Sequence, residues 1–275
     1  MSDFLADNII KATVMISCDN NSTGTGFIYC LKNDRGEIAP FIVTNKHVIA
    51  GATQVGFIVR AQNEQTGEVF KKFPVTITDI TKGIELHPEK DVDLCAFPLG
   101  PIIHELGKKN LTMDYYPFNS DNLFDKYEDK DSFTAIEDVF MTGYPRGIWD
   151  RVNNKPITRK GITATDYKEN WEGKKEFVID IACYPGSSGS PVYVYNNGPF
   201  LLNGKHVFGQ RLILLGILYG GIEYSADGEL KVVEVPTAQT VIPITKMSLN
   251  IGVVIKSEKL DYLKDVVRRL TEDSQ

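Results

Sequence analysis

Nine consecutive residues, Cys183-Tyr184-Pro185-Gly186-Ser187-Ser188-Gly189-Ser190-Pro191, combine the groups that acyl transfer requires. An apolar run ending in Asp180-Ile181-Ala182 leads into them. A tight glycine-rich turn here would present one hydroxyl, that of Ser188, and aim backbone N–H groups at the space beside it. Acyl transfer needs such a nucleophile, with donors placed where a carbonyl oxygen becomes an anion. Gly, Ser and Pro also cluster in ordinary loops. The reading therefore depends on a base and an orienting acid elsewhere in the chain.

Of the four histidines, His47 closes a strand-like run, Phe41-Ile42-Val43-Thr44-Asn45-Lys46-His47-Val48, and is placed to deliver an imidazole into a cleft. His87 next to Pro88, His104 before a charged loop, and His206 in Asn203-Gly204-Lys205-His206 read as surface imidazoles. The acid is Asp93, which abuts the apolar run Leu94-Cys95-Ala96-Phe97-Pro98-Leu99. A carboxylate opening such a strand is partly buried and needs a partner, which an imidazole N–H supplies. Asp91 lies two residues earlier on the same strand face and reads as solvated. The chain order is His47, Asp93, Ser188. It differs from the orders of the α/β-hydrolase and subtilisin triads.

The elements that must position these residues read as strands. The chain has 275 residues, 23 of them Gly and 13 Pro, and many short Val, Ile, Thr, Tyr and Phe runs separated by turn signals, the pattern of an all-β protein. The expected organisation is an N-terminal β-barrel over 1–115 carrying His47 and Asp93, a linker over 116–137, and a C-terminal β-barrel over 138–275 carrying Ser188. Expected strands in the first are 9–17, 25–31, 39–44, 54–59, 73–80 and 94–99. In the second, 139–143 opens the barrel, 177–182 enters the serine turn, 192–195 leaves it, and 212–219 lies deep in the barrel. Asn196-Asn197-Gly198 and Ala226-Asp227-Gly228 read as hairpin turns. The polar, acidic stretch around 125–131 reads as a solvated linker. A terminal helix is expected over 257–270, capped by Ser257, with Leu260, Leu263, Val267 and Leu270 on its apolar face.

Together these segments resemble the trypsin-like serine peptidases, on the Deg/HtrA side and among free-standing bacterial relatives. The resemblance rests on Gly24-Thr25-Gly26-Phe27-Ile28, Val43 to Val48, Asp93 to Phe97, Gly143-Tyr144-Pro145-Arg146-Gly147, Asp180-Ile181-Ala182 and Gly186 to Pro191. It continues through Gly216-Ile217-Leu218-Tyr219-Gly220, Val235-Pro236-Thr237 and the tail Asn250 to Lys256. It implies two antiparallel Greek-key β-barrels (chymotrypsin-like) with a C-terminal α-helix and no PDZ module. It implies an endopeptidase in which Ser188 is the nucleophile, His47 the base and Asp93 its orienting acid. The oxyanion donors would be the backbone N–H groups of Gly186 and Ser188. Ala182 would lie at the base of an uncharged specificity pocket, and Leu218, Tyr219 and Gly220 would pair with the substrate backbone. Three features depart from the family pattern. Secreted trypsins carry several disulfides, an Asp immediately before the nucleophile that pairs with a newly cut N-terminus, and a second Gly after it. Here the disulfides are not suggested, the residue before the nucleophile is Ser187, and Ser190 replaces that glycine, so activation by trypsin-type cleavage is not expected.

Composition excludes other classes. A net charge of −6 without a basic stripe gives no footprint for nucleic acid. The start lacks a basic, apolar leader, and no run reaches membrane-spanning length. The expected location is the cytoplasm. Cys18, Cys30, Cys95 and Cys183 show no metal-ligand spacing and are expected as free thiols. No cofactor and no metal are expected. The partners are a protein or peptide substrate, and a regulatory protein partner or the substrate itself ordering the loops around Gly186 and Tyr144 to Gly147. The rival readings are a catalytically silent peptide-binding module, an esterase-like hydrolase, which would need a G-x-S-x-G elbow, and a purely structural all-β domain.

Overall fold

The computed structural model describes residues 5–33, 35–224, 230–234 and 247–272. The expected turn at Ala226 to Gly228 and the segment Val235 to Thr237 lie outside them. After a short helix α1 (Leu5–Ile9), nine strands form the first sheet: β1 (Thr13–Cys18), β2 (Thr23–Lys32), β3 (Ile38–Thr44), β4 (Val55–Asn63), β5 (Val69–Ile77), β6 (Glu85–Leu86), β7 (Cys95–Pro98), β8 (Leu111–Met113) and β9 (Phe118–Asn119). Their order is β5-β4-β1-β2-β3-β7-β6, with β8 on β4 and β9 on β2. Alternate residues, Val14 and Ile16, Ile28 and Cys30, Val55, Phe57 and Val59, Cys95 and Phe97, meet in one buried cluster. This is the period of two of half-buried strands, applied around one interior.

The second sheet contains β10 (Asp138–Gly143), β11 (Ile157–Thr163), β12 (Glu176–Asp180), β13 (Pro191–Leu202), β14 (Lys205–Tyr224), β15 (Leu230–Glu234) and β16 (Met247–Lys256). Its order β13-β10-β11-β12-β16-β14-β15, with β13 also paired to β14, closes six strands into a ring. Val139, Met141, Phe177, Ile179, Val192, Val194, Ile213 and Val254 fill it. A third cluster spans the seam. Phe27, Tyr29, Phe41 and Val43 from the first sheet meet Tyr193, Leu214, Ile217 and Ile255 from the second. Helix α3 (Tyr262–Glu272) covers this seam with Leu263, Val266 and Val267.

Several expectations change. Residues 9–11 are not strand; α1 ends at Ile9 and β1 starts at Thr13. Helix α2 (Gly100–Gly107), begun by Pro101 in its first turn, follows β7 where none was expected. Asn196-Asn197-Gly198 is strand, with Gly198 paired to Gly209; the turn falls at Asn203-Gly204, both at positive φ (50° and 70°), the conformation that an Asn-Gly hairpin favours. The linker expected over 116–137 contributes Leu123 and Phe133 to the buried clusters, while its acidic stretch 125–131 is half-buried or exposed. The terminal helix begins with a 3-10 turn, Ser257–Asp261, in which no side chain caps, and Ser257 is itself buried. Leu270 is exposed rather than part of the apolar face. His87 is buried against the Tyr262 ring, 4.7 Å between centroids, because α3 packs over it. His104 and His206 are exposed.

Candidate active site

Strand β3 ends at Thr44, and a 3-10 turn, His47–Ile49, lifts the His47 ring to the seam. The ring is almost fully buried: Nδ1 meets Asp93 Oδ2, and the His47 backbone N–H donates to Asp93 Oδ1 at 3.0 Å. Both carboxylate oxygens are therefore spent on one residue. Asn45 fixes the other side of Asp93 by donating from Nδ2 to its backbone carbonyl at 2.8 Å. A carboxylate can only accept, so Nδ1 carries the ring proton and Nε2 holds the lone pair. Among the described residues that Nε2 is buried without a partner, and so is the Ser188 hydroxyl. Asp91 is exposed, as expected.

The turn carrying Ser188 is held from both sheets. The Ser187 N–H donates to the Tyr184 carbonyl at 2.9 Å and the Ser190 N–H to the Ser187 carbonyl at 3.0 Å. From the first sheet, Thr25 makes three bonds to this region: its N–H to the Ser188 carbonyl at 2.9 Å, its hydroxyl to the Gly186 carbonyl at 2.8 Å, and the same hydroxyl accepting from the Tyr144 N–H at 3.0 Å. Its own carbonyl accepts from the Thr44 hydroxyl at 2.8 Å. The Pro185 carbonyl accepts from the Arg146 N–H at 2.5 Å. A trans peptide sets C=O and N–H on opposite sides, so the Gly186 N–H points away from that loop. Gly186 sits at φ +85°, and a Cβ there would meet the Tyr144 carbonyl at 2.6 Å.

Gly189 is the tightest point, at φ +84°. An added Cβ would lie 1.9 Å from the Thr25 carbonyl and 2.6 Å from the Thr44 hydroxyl. Both neighbours belong to the first sheet, so Gly189→Ala cannot be absorbed within the turn. The expected outcome is a loss of about 4 kcal/mol or more in unfolding free energy, the range reserved for forced overlap and backbone strain. Urea denaturation checks it, and a change below about 1 kcal/mol would show that the seam yields.

The expected substrate-binding residues stand near this turn. Ala182 is part-exposed beside Cys183. Leu218 is bonded at both backbone groups to the turn: its N–H to the Ser190 carbonyl at 3.0 Å and its carbonyl from the Gly189 N–H at 2.8 Å. A bulge in the β14–β16 pairing falls between Leu218 and Gly220 and leaves Tyr219 as the extra residue. Its hydroxyl donates to Glu176 Oε2 at 3.1 Å, and burial raises the Glu176 pKa above the ordinary value. Gly220 pairs with Glu234 of β15 and with Val253 of β16.

Two residues escaped the sequence reading. Thr25 is one; its only signal was its place between two glycines, where a Cβ would strike Val48 at 2.5 Å or Ile42 at 2.6 Å. The other is Arg159 on β11, whose Nη1 contacts the Ala182 carbonyl and whose Nη2 donates to the Ser187 hydroxyl at 2.7 Å. A charged residue in an alternating strand reads as solvent-facing, so nothing in sequence marked it. The four cysteines are free thiols. Burial pushes the Cys183 thiol up to about 12 and Cys18 and Cys30 to about 11. A thiol held protonated is a poor nucleophile. Among the described residues, no cluster of His, Cys, Asp or Glu could hold a metal ion, and no helix is long and apolar enough to cross a membrane.

Residues 24–198 match the trypsin-like peptidase domain family, and the chain belongs to it. It is a serine protease on the chymotrypsin-like two-barrel fold. Three solved structures are similar to it. An inactive form of a serine-to-alanine mutant of Rv3671c from M. tuberculosis H37Rv is 15% identical, with 91% of this chain and 83% of that one covered and a TM-score of 0.42. The HtrA-type protease AlgW with a decapeptide is 14% identical, with 94% of this chain and 65% of that one covered and a TM-score of 0.47. A scabies mite inactivated protease paralogue is 10% identical, with 94% and 96% covered and a TM-score of 0.48. No curated protein matches the chain.

Proposed function

We propose that the chain is an endopeptidase that cleaves through an acyl-enzyme on Ser188. What supports this reading is the pairing of spent and unspent groups. Asp93 occupies His47 Nδ1, while His47 Nε2 and the Ser188 hydroxyl are both left without partners. As Ser188 Oγ attacks the scissile carbonyl, its proton passes to Nε2, and Asp93 stabilises the imidazolium. The backbone N–H groups of Gly186 and Ser188 receive the oxyanion. Collapse breaks the C–N bond, and the amine leaves with the proton from Nε2. Water then enters by the same route and releases the acid. A pocket based at Ala182 takes an uncharged side chain before the cut, and Tyr219 pairs with the substrate backbone.

Both atoms are buried without a partner among the described residues, so the reading includes a step that uncovers them for the substrate. This favours control by substrate or by a regulatory protein partner over control by cleavage of the chain. Four free cysteines support a reducing compartment, the cytoplasm. The test is labelling with a fluorophosphonate followed by peptide mapping. The expected adduct is on Ser188 and is lost in His47→Ala. Absence of an adduct in a folded protein that still binds peptides would mean a silent binding module instead.

A further inference from the structure

We propose that Arg159 is a positioning residue: an internal cation that fastens the nucleophile turn from the side opposite Thr25. This rests on the reading of Ser188 as the nucleophile. The guanidinium bridges two points of one segment, the Ala182 carbonyl, where the chain leaves β12, and the hydroxyl of Ser187, the residue before the nucleophile. Ser187 is fully buried. A serine there has no charge with which to anchor itself, and the turn has no other side-chain bond from the second sheet among the described residues. Arg159 supplies that anchor.

The cation is held at a cost. Burial is the main influence on Arg159 and lowers its pKa, and its Nε is buried without a partner. Among the described residues no carboxylate forms an ion pair with it; the Tyr184 ring, 5.8 Å from Cζ, is its nearest charge-complementary face. A half-buried guanidinium with no carboxylate partner among the described residues is costly to bury, and an apolar side chain of similar size can serve the fold as well. A residue kept against that cost, and spent on the neighbour of the nucleophile, points to function. With Ser187 fastened below and the Ser188 and Gly186 carbonyls held by Thr25, the Gly186 and Ser188 N–H groups stay aimed at one place. Without it, Ser187 loses its side-chain anchor, and only the Arg146 N–H on the Pro185 carbonyl resists rotation of the Pro185–Gly186 peptide, which would lose a donor.

The test compares Arg159→Met, Arg159→Lys, Ser187→Ala and the double variant Arg159→Met with Ser187→Ala. Each is assayed for kcat and KM on a peptide with an uncharged residue before the cut, and for the rate of fluorophosphonate labelling. Folding is checked by circular dichroism and thermal melting. We expect Arg159→Met to remain folded, with an unchanged or raised melting temperature. We expect kcat and labelling rate to fall by about 10²-fold, the size of losing one oxyanion donor, with KM within about threefold. Arg159→Lys should recover at least about tenfold of that loss, and if the Met variant does not fold, the Lys variant against wild type carries the comparison. The double variant should be no worse than Arg159→Met, because both changes break one bond. Wild-type kcat and labelling in folded Arg159→Met, or additive losses in the double variant, would overturn the proposal. So would a loss confined to KM on peptides with an acidic residue before the cut, which would make Arg159 a specificity group. If wild type itself neither cuts nor labels, the fault lies with the nucleophile reading and not with Arg159.

Discussion

Ser188→Ala is expected to lower peptide-bond cleavage by about 10⁶-fold, the scale on which loss of the nucleophile acts in serine peptidases, while the protein stays folded. The hydroxyl has no hydrogen-bond partner in the structure, so its deletion breaks nothing in the turn. The bonds that shape the turn run through backbone: the Ser188 carbonyl to Thr25, and the Gly189 and Ser190 N–H groups to Leu218 and Ser187. All survive an alanine. Cleavage of a reporter peptide and the urea midpoint, measured on the same preparation, check both halves. Activity within tenfold of wild type would remove Ser188 as nucleophile. Unfolding would show that the hydroxyl has a structural partner.

Asp93→Asn should cost about 10⁴-fold in kcat, the scale seen when the orienting acid of such a triad loses its charge. Each oxygen of Asp93 accepts, one from the His47 ring and one from its backbone N–H. An asparagine has one oxygen and one NH₂, so it cannot satisfy both. If the oxygen keeps the backbone N–H, the NH₂ faces Nδ1 and forces the proton onto Nε2, where it blocks the attack. If the oxygen faces the ring, two N–H groups confront each other at the backbone. Either way the base is lost or the ring is displaced. Kinetics on the reporter peptide decide the matter; a loss under tenfold would assign His47 its tautomer by some other group.

The site residues were legible because each lies where a strong local pattern breaks. His47 follows the apolar end of β3, Asp93 precedes the apolar start of β7, and Ser188 sits among glycines that two φ values above +80° require. Strand cores were legible for the same reason, since alternation is written residue by residue. What failed was non-local. Asn196-Asn197-Gly198 carries turn residues, yet twelve ladder pairs between β13 and β14 override them once Asn203-Gly204 provides the turn. His87 reads as polar surface until α3, nearly two hundred residues later, lays Tyr262 against it. Arg159 carries no pattern of its own and Thr25 only its flanking glycines; their roles exist through partners on other strands.

The ring that carries Ser188 is closed by β16, which lies between β12 and β14 and follows both of them in the chain, so it is synthesised after them. Until it arrives, β12, the strand leading into the serine turn, keeps an open edge, and the Leu218 bonds that brace the turn lie on a strand missing one neighbour. The first sheet can be complete by then, with its imidazole and carboxylate already joined. The serine turn thus gains its full bracing only once β16 has been made, after the imidazole and carboxylate of the first sheet have been paired.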